Sequence, residues 1–428
     1  MSFSNPRFVF RASRKGAFGL TLVLLMVCAG CETDQVDHVM SSKTARELLG
    51  NPNYPAISYG GYRGLSRSEQ PTLAQLKEDL RIMHAMGIRI LRTYNVQLPH
   101  ASNVLKAISA LKQEQGEFEM YVMLGAWIDC TGAWTDTPDH QSGDFEANQA
   151  EIKRAVTLAQ TYPEIVKIIA VGNEAMVHWA ASYFVEPKVI LHWVNHLQGL
   201  KSEGSLSPDL WVTSSDNFAS WGGGGSEYHK DDLNALIRSV DFVSMHTYPF
   251  HDTHYNPVFW RQSPEGSDVV MDEQVGEIEN AMQRALSYSQ SQYQQVVDYV
   301  HRIDSTKEVH IGETGWASIS DGLYGPEGSR AADEYKQALF YQGMRDWTQS
   351  SGISCFYFEA FDEPWKSAAN PTDSENHFGL FTAQGLAKFA LWPLVKKGVF
   401  HGLTRGGHPI ECTYSGQKEL LDRHVLEP

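Results

Sequence analysis

The sequence is short of three things, and each shortage closes off a class of proteins. It holds 5 cysteines in 428 residues, and past the N-terminal Cys28 and Cys31 no CxxC spacing occurs, which argues against a zinc module or a disulfide-built scaffold. Basic residues are outnumbered, with 35 Lys and Arg against 51 Asp and Glu. Nucleic acid and an anionic membrane face are therefore poor partners, whereas a neutral polymer is unobjectionable. No stretch beyond the N-terminal segment is apolar for the ~18 or more residues a membrane helix needs, so the body of the chain carries no predicted span. A GxGxxG turn is also missing after the first strand-like run, against a dinucleotide fold.

What is present begins with an export signal. Arg7, Arg11, Arg14 and Lys15 precede an apolar run from Ala17 to Val27, too short to span a bilayer comfortably and suited to a signal peptide. The run ends in Cys28-Ala29-Gly30-Cys31, which resembles a bacterial lipoprotein cleavage box with Cys31 as the lipidated residue. An aliphatic residue is usual where Cys28 stands, and ordinary secretion with cleavage nearby is the alternative. The expected division is therefore a signal over 1–30, a polar tether over 31–50, a catalytic domain over 51–400 and a C-terminal extension packed on it over 401–428. Cleavage removes four basic residues and no acidic one, taking the formal charge from −16 to −16 − 4 = −20. Beyond Cys31 only Cys130, Cys355 and Cys412 remain; one bridge among them is open in an oxidising compartment, and the sequence does not choose it.

Along the body, apolar strand-like runs alternate with amphipathic helical stretches. The strand readings are 56–60, 88–94, 120–129, 168–174, 210–215, 241–248, 308–316 and 354–359. Helices are expected at 73–86, 103–115, 145–161, 187–200, 231–239, up to about 303, at 331–349 and, closing the chain, around 386–397. Buried strands alternating with helices favour a parallel sheet covered on its outer face, and eight of them predict a closed (β/α)₈ barrel, a TIM barrel. In such a barrel the strand C-terminal ends share one rim, and that is where the polar residues of these strands fall.

Two of those ends carry glutamates. Ile168 to Val171 run into Gly172-Asn173-Glu174, and Val309 to Ile311 into Gly312-Glu313-Thr314-Gly315-Trp316. A carboxylate at the mouth of an apolar strand is expensive to bury, so it stands there for chemistry or for an ion pair. Cleaving a glycosidic bond needs a proton donor on the leaving oxygen and a nucleophile or base opposite, and two facing carboxyls supply both. Tyr94, Trp127, Asp129, Ser215, Asp216, His246, Tyr248 and Glu359 also lie at strand ends. Each alone reads more simply as a satisfied structural group; their coincidence on one rim is the signal. Trp127, Trp221, Trp316 and Trp365 are candidate platforms for sugar rings, against ordinary packing of tryptophan. His251 and His254 are too sparse for a metal site, so no metal or cofactor is expected. The long stretch 249–283 is expected to shape access to the cleft.

Together with Tyr59-Gly60-Gly61-Tyr62-Arg63, His246-Thr247-Tyr248-Pro249-Phe250 and Phe358-Glu359-Ala360-Phe361-Asp362-Glu363-Pro364-Trp365, the two glutamate blocks resemble glycoside hydrolase family 17, the retaining β-1,3-glucanases. The resemblance covers about residues 55–400. It implies Glu174 as acid/base and Glu313 as nucleophile in a retaining double displacement. Asn173 then meets the sugar 2-hydroxyl, and Tyr248 orients the nucleophile. His246 stands where plant members often have Asn. Tyr94, His246, Trp127, Trp316, Glu359 and Trp365 are expected around the substrate. The implied protein is an exported monomer, anchored by Cys31, acting on β-1,3-glucan of the laminarin type. Two alternatives stay open: a glucanosyltransferase using the same site, and a surface glycan-binding lipoprotein without catalysis.

Overall fold

A computed structural model describes residues 43–261 and 276–428. The signal, Cys31 and most of the tether lie outside the described residues, as does the 262–275 part of the 249–283 stretch.

Eight parallel strands close into a barrel in simple sequence order. They are β1 (Ala56–Ser58), β2 (Ile90–Arg92), β3 (Tyr121–Ala126), β4 (Val166–Asn173), β5 (Trp211–Asn217), β6 (Val243–His246), β7 (Val309–Gly315) and β8 (Cys355–Phe358). Between them run α1 (Leu73–Ala85), α2 (Pro99–Glu114), α3 (Phe145–Thr161), α4 (Pro187–Ser202), α5 (Asp231–Ser239), α6 (Glu277–Ile303) and α7 (Glu334–Ser350). The sequence marks several of these starts. Thr72 accepts from the Gln75 amide to cap α1, and Asp144 accepts from Ala147 to cap α3. None of the described helices is long and apolar enough to cross a membrane.

Alternation along the strands builds two cores. On β3, Val122 and Leu124 face the helices while Tyr121 and Met123 point inward; on β4, Ile169 and Val171 face out and Ile168 and Ala170 in. The inward set, with Ile90, Trp211, Phe242 and Phe356, fills the N-terminal half of the barrel, and Ala45 and Leu48 of a short helix plug it. Both strand faces are therefore apolar, which is why these runs read as continuous rather than alternating.

Higher in the barrel the filling changes from large and apolar to small and polar. Gly312 lies so close to its neighbours that a Cβ there would stand 2.0 Å from Ser244 Oγ and 2.4 Å from Ser215 Oγ. This thin layer leaves room above it for the charged groups of the rim.

Two expectations change. No continuous helix forms over 386–397. Ala387 instead exchanges backbone hydrogen bonds with Glu411 and Thr413, and only a turn at Phe389–Leu391 and a short helix Trp392–Lys396, opened by Pro393, follow. An antiparallel hairpin also intervenes between β3 and α3, pairing Cys130–Thr131 with Asp139–Gly143. Residues 401–428 contact the barrel through Arg405, whose Nε donates to buried Asp79 at 2.9 Å, and through Leu426, whose carbonyl accepts from Lys336. Cys130, Cys355 and Cys412 are all free thiols.

Candidate active site

The rim at the strand C-terminal ends gathers Glu174 and Glu313 across the barrel mouth. One carboxylate oxygen of each, and one ring nitrogen of His246, all lie within 4.8 Å of one another. The two glutamates are held differently. Glu313 is buried on β7, and both its oxygens accept hydrogen bonds: Oε1 from the Tyr248 hydroxyl at 2.6 Å, Oε2 from Tyr94 at 2.9 Å. Arg92, at the end of β2 and itself buried, ion-pairs with Glu313 Oε2, donates to the Gly312 carbonyl at 3.0 Å and reaches Asn173 Oδ1 with its other nitrogen. Burial by itself would raise the Glu313 pKa, but the Arg92 charge and the two tyrosine hydroxyls together hold it below the usual 4.5.

Glu174 follows a break in β4. Gly172 takes φ +82°, where a Cβ would also stand 2.9 Å from that of Ala175, and Glu174 itself takes φ +46°. A non-glycine residue in that left-handed region costs roughly 1 kcal/mol or more. The Glu174 amide donates to the Ser215 carbonyl at 3.0 Å, so the neighbouring strand holds the turn. Among the described residues its carboxyl has one hydrogen-bond partner, His246 Nδ1, 3.1 Å from Oε1, and its side chain stays 16% exposed at the mouth. Burial first, and then the Glu313 charge, push its pKa up to about 8, with Arg92 partly opposing. At neutral pH the pair therefore holds one protonated and one ionised carboxyl.

His246 is fully buried, with Nε2 2.8 Å from Ser215 Oγ, which in turn meets Ser244 Oγ at 2.9 Å. Burial lowers its pKa to about 4, so it is neutral and sits behind Glu174 rather than against the substrate. Among the described residues, Glu174, His246 and Glu313 also form a group that could hold a small cation. The Arg92 guanidinium already neutralises Glu313 there, and the arrangement fits acid and nucleophile better.

A cavity of about 420 Å³ opens beside the pair. Glu313, Asn173, Tyr94, Trp127 and Asp129 line it, together with Tyr62, Glu363, Trp365 and Lys366. Trp365 stands edge-on to Tyr62 at 5.9 Å, with the Arg67 guanidinium 4.5 Å over its ring.

Besides His246, three more expected sugar contacts are corrected by burial. Trp316 has no exposed surface; its indole donates to the Ala331 carbonyl and packs against Phe250, Trp260 and Phe340. Trp221 is likewise core, donating to the Ser244 carbonyl at 3.1 Å. Glu359 is buried and engaged by Lys366 Nζ at 2.5 Å, so the lysine, not the glutamate, faces the cavity. His251 lies against Tyr248 and Tyr324, its Nδ1 3.1 Å from the Tyr324 hydroxyl.

The sequence reading passed over Arg92, Glu363 and Lys366. For Arg92 the signal was available, because a full charge directly after the apolar pair Ile90-Leu91 carries the same burial cost that marked the glutamates. Glu363 and Lys366 follow β8 in an irregular loop, where no periodicity says which side chains turn inward.

Residues 56–379 match the BtgE/BtgC glycoside hydrolase domain. The crystal structure of an endo-laminarinase from Formosa Hel1_33_131 shares the fold with a TM-score of 0.87 and 60% sequence identity, over 90% of this chain and 98% of that one. A glucan 1,3-beta-glucosidase of Arthroderma benhamiae is 26% identical over 267 residues, which are 60% of this chain and 69% of that protein. A probable glucan endo-1,3-beta-glucosidase btgC of Aspergillus flavus is 24% identical over 368 residues, 80% of this chain. This chain spans only 44% of that relative's length. With well over half of its residues matched, the chain belongs to the BtgE/BtgC glycoside hydrolase family.

Proposed function

We propose that this enzyme hydrolyses β-1,3-glucan of the laminarin type, cutting within the chain and retaining the anomeric configuration. The observation that carries the reading is the carboxyl pair, close together and in opposite protonation states. Retaining glycosidases hold their carboxyls about 5–5.5 Å apart, while inverting ones need about 6.5–9.5 Å to admit a water. Oxygens within 4.8 Å support the retaining class. Internal cleavage is the action for which the 60% identical Formosa enzyme is named.

In the first step a Glu313 oxygen bonds to the anomeric carbon as the bond to the leaving sugar breaks, and Glu174 passes its proton to the departing oxygen. Glu174, now ionised, takes a proton from water as that water attacks the same carbon and releases Glu313. The Arg92 and Tyr248 contacts keep Glu313 a carboxylate before attack. Asn173, held by Arg92, meets the 2-hydroxyl of the reacting sugar in this reading.

The test is a time course of residues 32–428 on linear β-1,3-gluco-oligosaccharides, with product lengths and fresh anomers resolved. Shorter products of retained configuration are expected; inverted anomers would overturn the mechanism. Products longer than the substrate would instead establish a glucanosyltransferase, and no turnover would favour a glycan binder. Export and anchoring through a lipid on Cys31 belong to the same proposal. They rest on the N-terminal sequence, and a Cys31→Ala change should release the protein from the membrane fraction.

A further inference from the structure

The hairpin between β3 and α3 carries an arrangement that cleavage of the bond does not require. Trp134, in its turn, is 63% exposed and adopts φ +64°, a left-handed backbone that disfavours any residue but glycine. Its ring stacks on Tyr183 at 5.0 Å and 22°, and Tyr183 in turn lies 5.2 Å from Trp127. Large exposed aromatics held in an unfavourable backbone conformation need a reason, and core packing is not available to this one.

The hairpin is fastened to the loop that follows Glu174. The Trp134 amide donates to the Ser182 carbonyl at 2.8 Å, Cys130 to Tyr183 at 3.2 Å, and Glu186 to His140 at 3.0 Å. His140 Nδ1 also lies 2.7 Å from the Phe184 carbonyl. Trp134 is thus fixed relative to the acid/base rather than swinging on a free tip. Its indole lines the same cavity as Trp127, Asp129, Asn173 and Glu313.

From this we infer that Trp134, backed by Tyr183 and Trp127, is a stacking platform for a glucosyl unit distant from the cleaved bond. Flat aromatic faces accept the apolar face of a pyranose ring. The platform makes the enzyme read chain length: oligosaccharides long enough to reach Trp134 gain affinity that shorter ones lack. This inference rests on the glucan-cleaving reading of the site.

The test compares wild type, Trp134→Ala and Trp134→Phe on β-1,3-gluco-oligosaccharides of increasing length, with kcat and KM resolved for each. The wild type should gain in kcat/KM with length until the platform is reached. In the alanine variant that gain should shrink about five- to tenfold, the worth of a good aromatic contact, through KM rather than kcat. The phenylalanine variant should recover most of it. An unchanged length dependence in Trp134→Ala would overturn the platform. An equal loss at every length, carried by kcat, would also overturn it, because the hairpin would then serve only to brace the Glu174 loop. Both results leave glucan cleavage standing; a wild type inactive at every length would take both readings down.

Discussion

Glu174 and Glu313 are the same residue type at the same kind of position, the C-terminal end of a buried strand, yet their surroundings treat them oppositely. Around Glu313 stand a buried guanidinium and two tyrosine hydroxyls, all donating to its carboxylate. Among the described residues the one hydrogen-bond partner of the Glu174 carboxyl is a neutral imidazole, and the charge acting on it most strongly is that of Glu313 itself. Burial raises both pKa values, but only Glu313 has the donors to reverse that. The proposed division of labour between acid and nucleophile therefore rests on neighbours from β2, β5 and β6, not on the glutamates alone.

Removing either carboxyl should break the comparison most sharply. Glu313→Gln should lose about 10⁴-fold or more in kcat on any substrate, since no covalent intermediate can form. Glu174→Gln should lose about 10²- to 10⁴-fold on glucan. It should lose far less in the first step on an aryl glycoside whose acidic phenol leaves unprotonated. Steady-state and burst kinetics on the two substrates check this; equal losses on both would contradict the assignment of the acid.

Arg92→Met should level the two environments. Breaking a buried ion pair leaves Glu313 uncompensated, a loss of about 3–5 kcal/mol of stability readable by urea unfolding at neutral pH. Glu313 should then titrate higher, so the acid limb of activity moves up in pH. A variant with wild-type stability and pH profile would show that Arg92 does not set the nucleophile's charge.

In the wild type, kcat/KM should be bell-shaped in pH. Activity requires Glu174 protonated, so it falls as pH rises through about 8. It also requires Glu313 ionised, so the acid limb lies below the ordinary 4.5. The smallest change should come from Tyr248→Phe, which removes one hydrogen bond to a charged group and should raise the acid limb by about one pH unit. The alkaline limb should stay, because Tyr248 touches only Glu313 among the two.

The barrel was legible because its strands carry apolar residues on both faces, and helix starts such as Thr72 and Asp144 are marked by caps. Both glutamates were legible for the converse reason: charge at the end of an apolar run is costly enough to stand out. The closing helix was misread because Leu386, Phe389, Leu391 and Leu394 look amphipathic, while the pairing of Ala387 with residues 411 and 413 is a long-range event. Tryptophan was the least readable residue. Trp316, beside the nucleophile in sequence, turns into the core, and Trp134, in an unremarked turn, faces the cleft. Composition says that tryptophan is there, and only neighbouring elements decide whether its ring meets a sugar or Phe250.

What the sequence by itself determined is the architecture and the position of two carboxyls at the barrel mouth, because strand burial and the cost of charge act locally along the chain. The tertiary structure decided which glutamate holds a proton, since that depends on the distance to Arg92, Tyr248 and His246. Electrostatic energy falls with separation in space, and residues far apart in the chain set it.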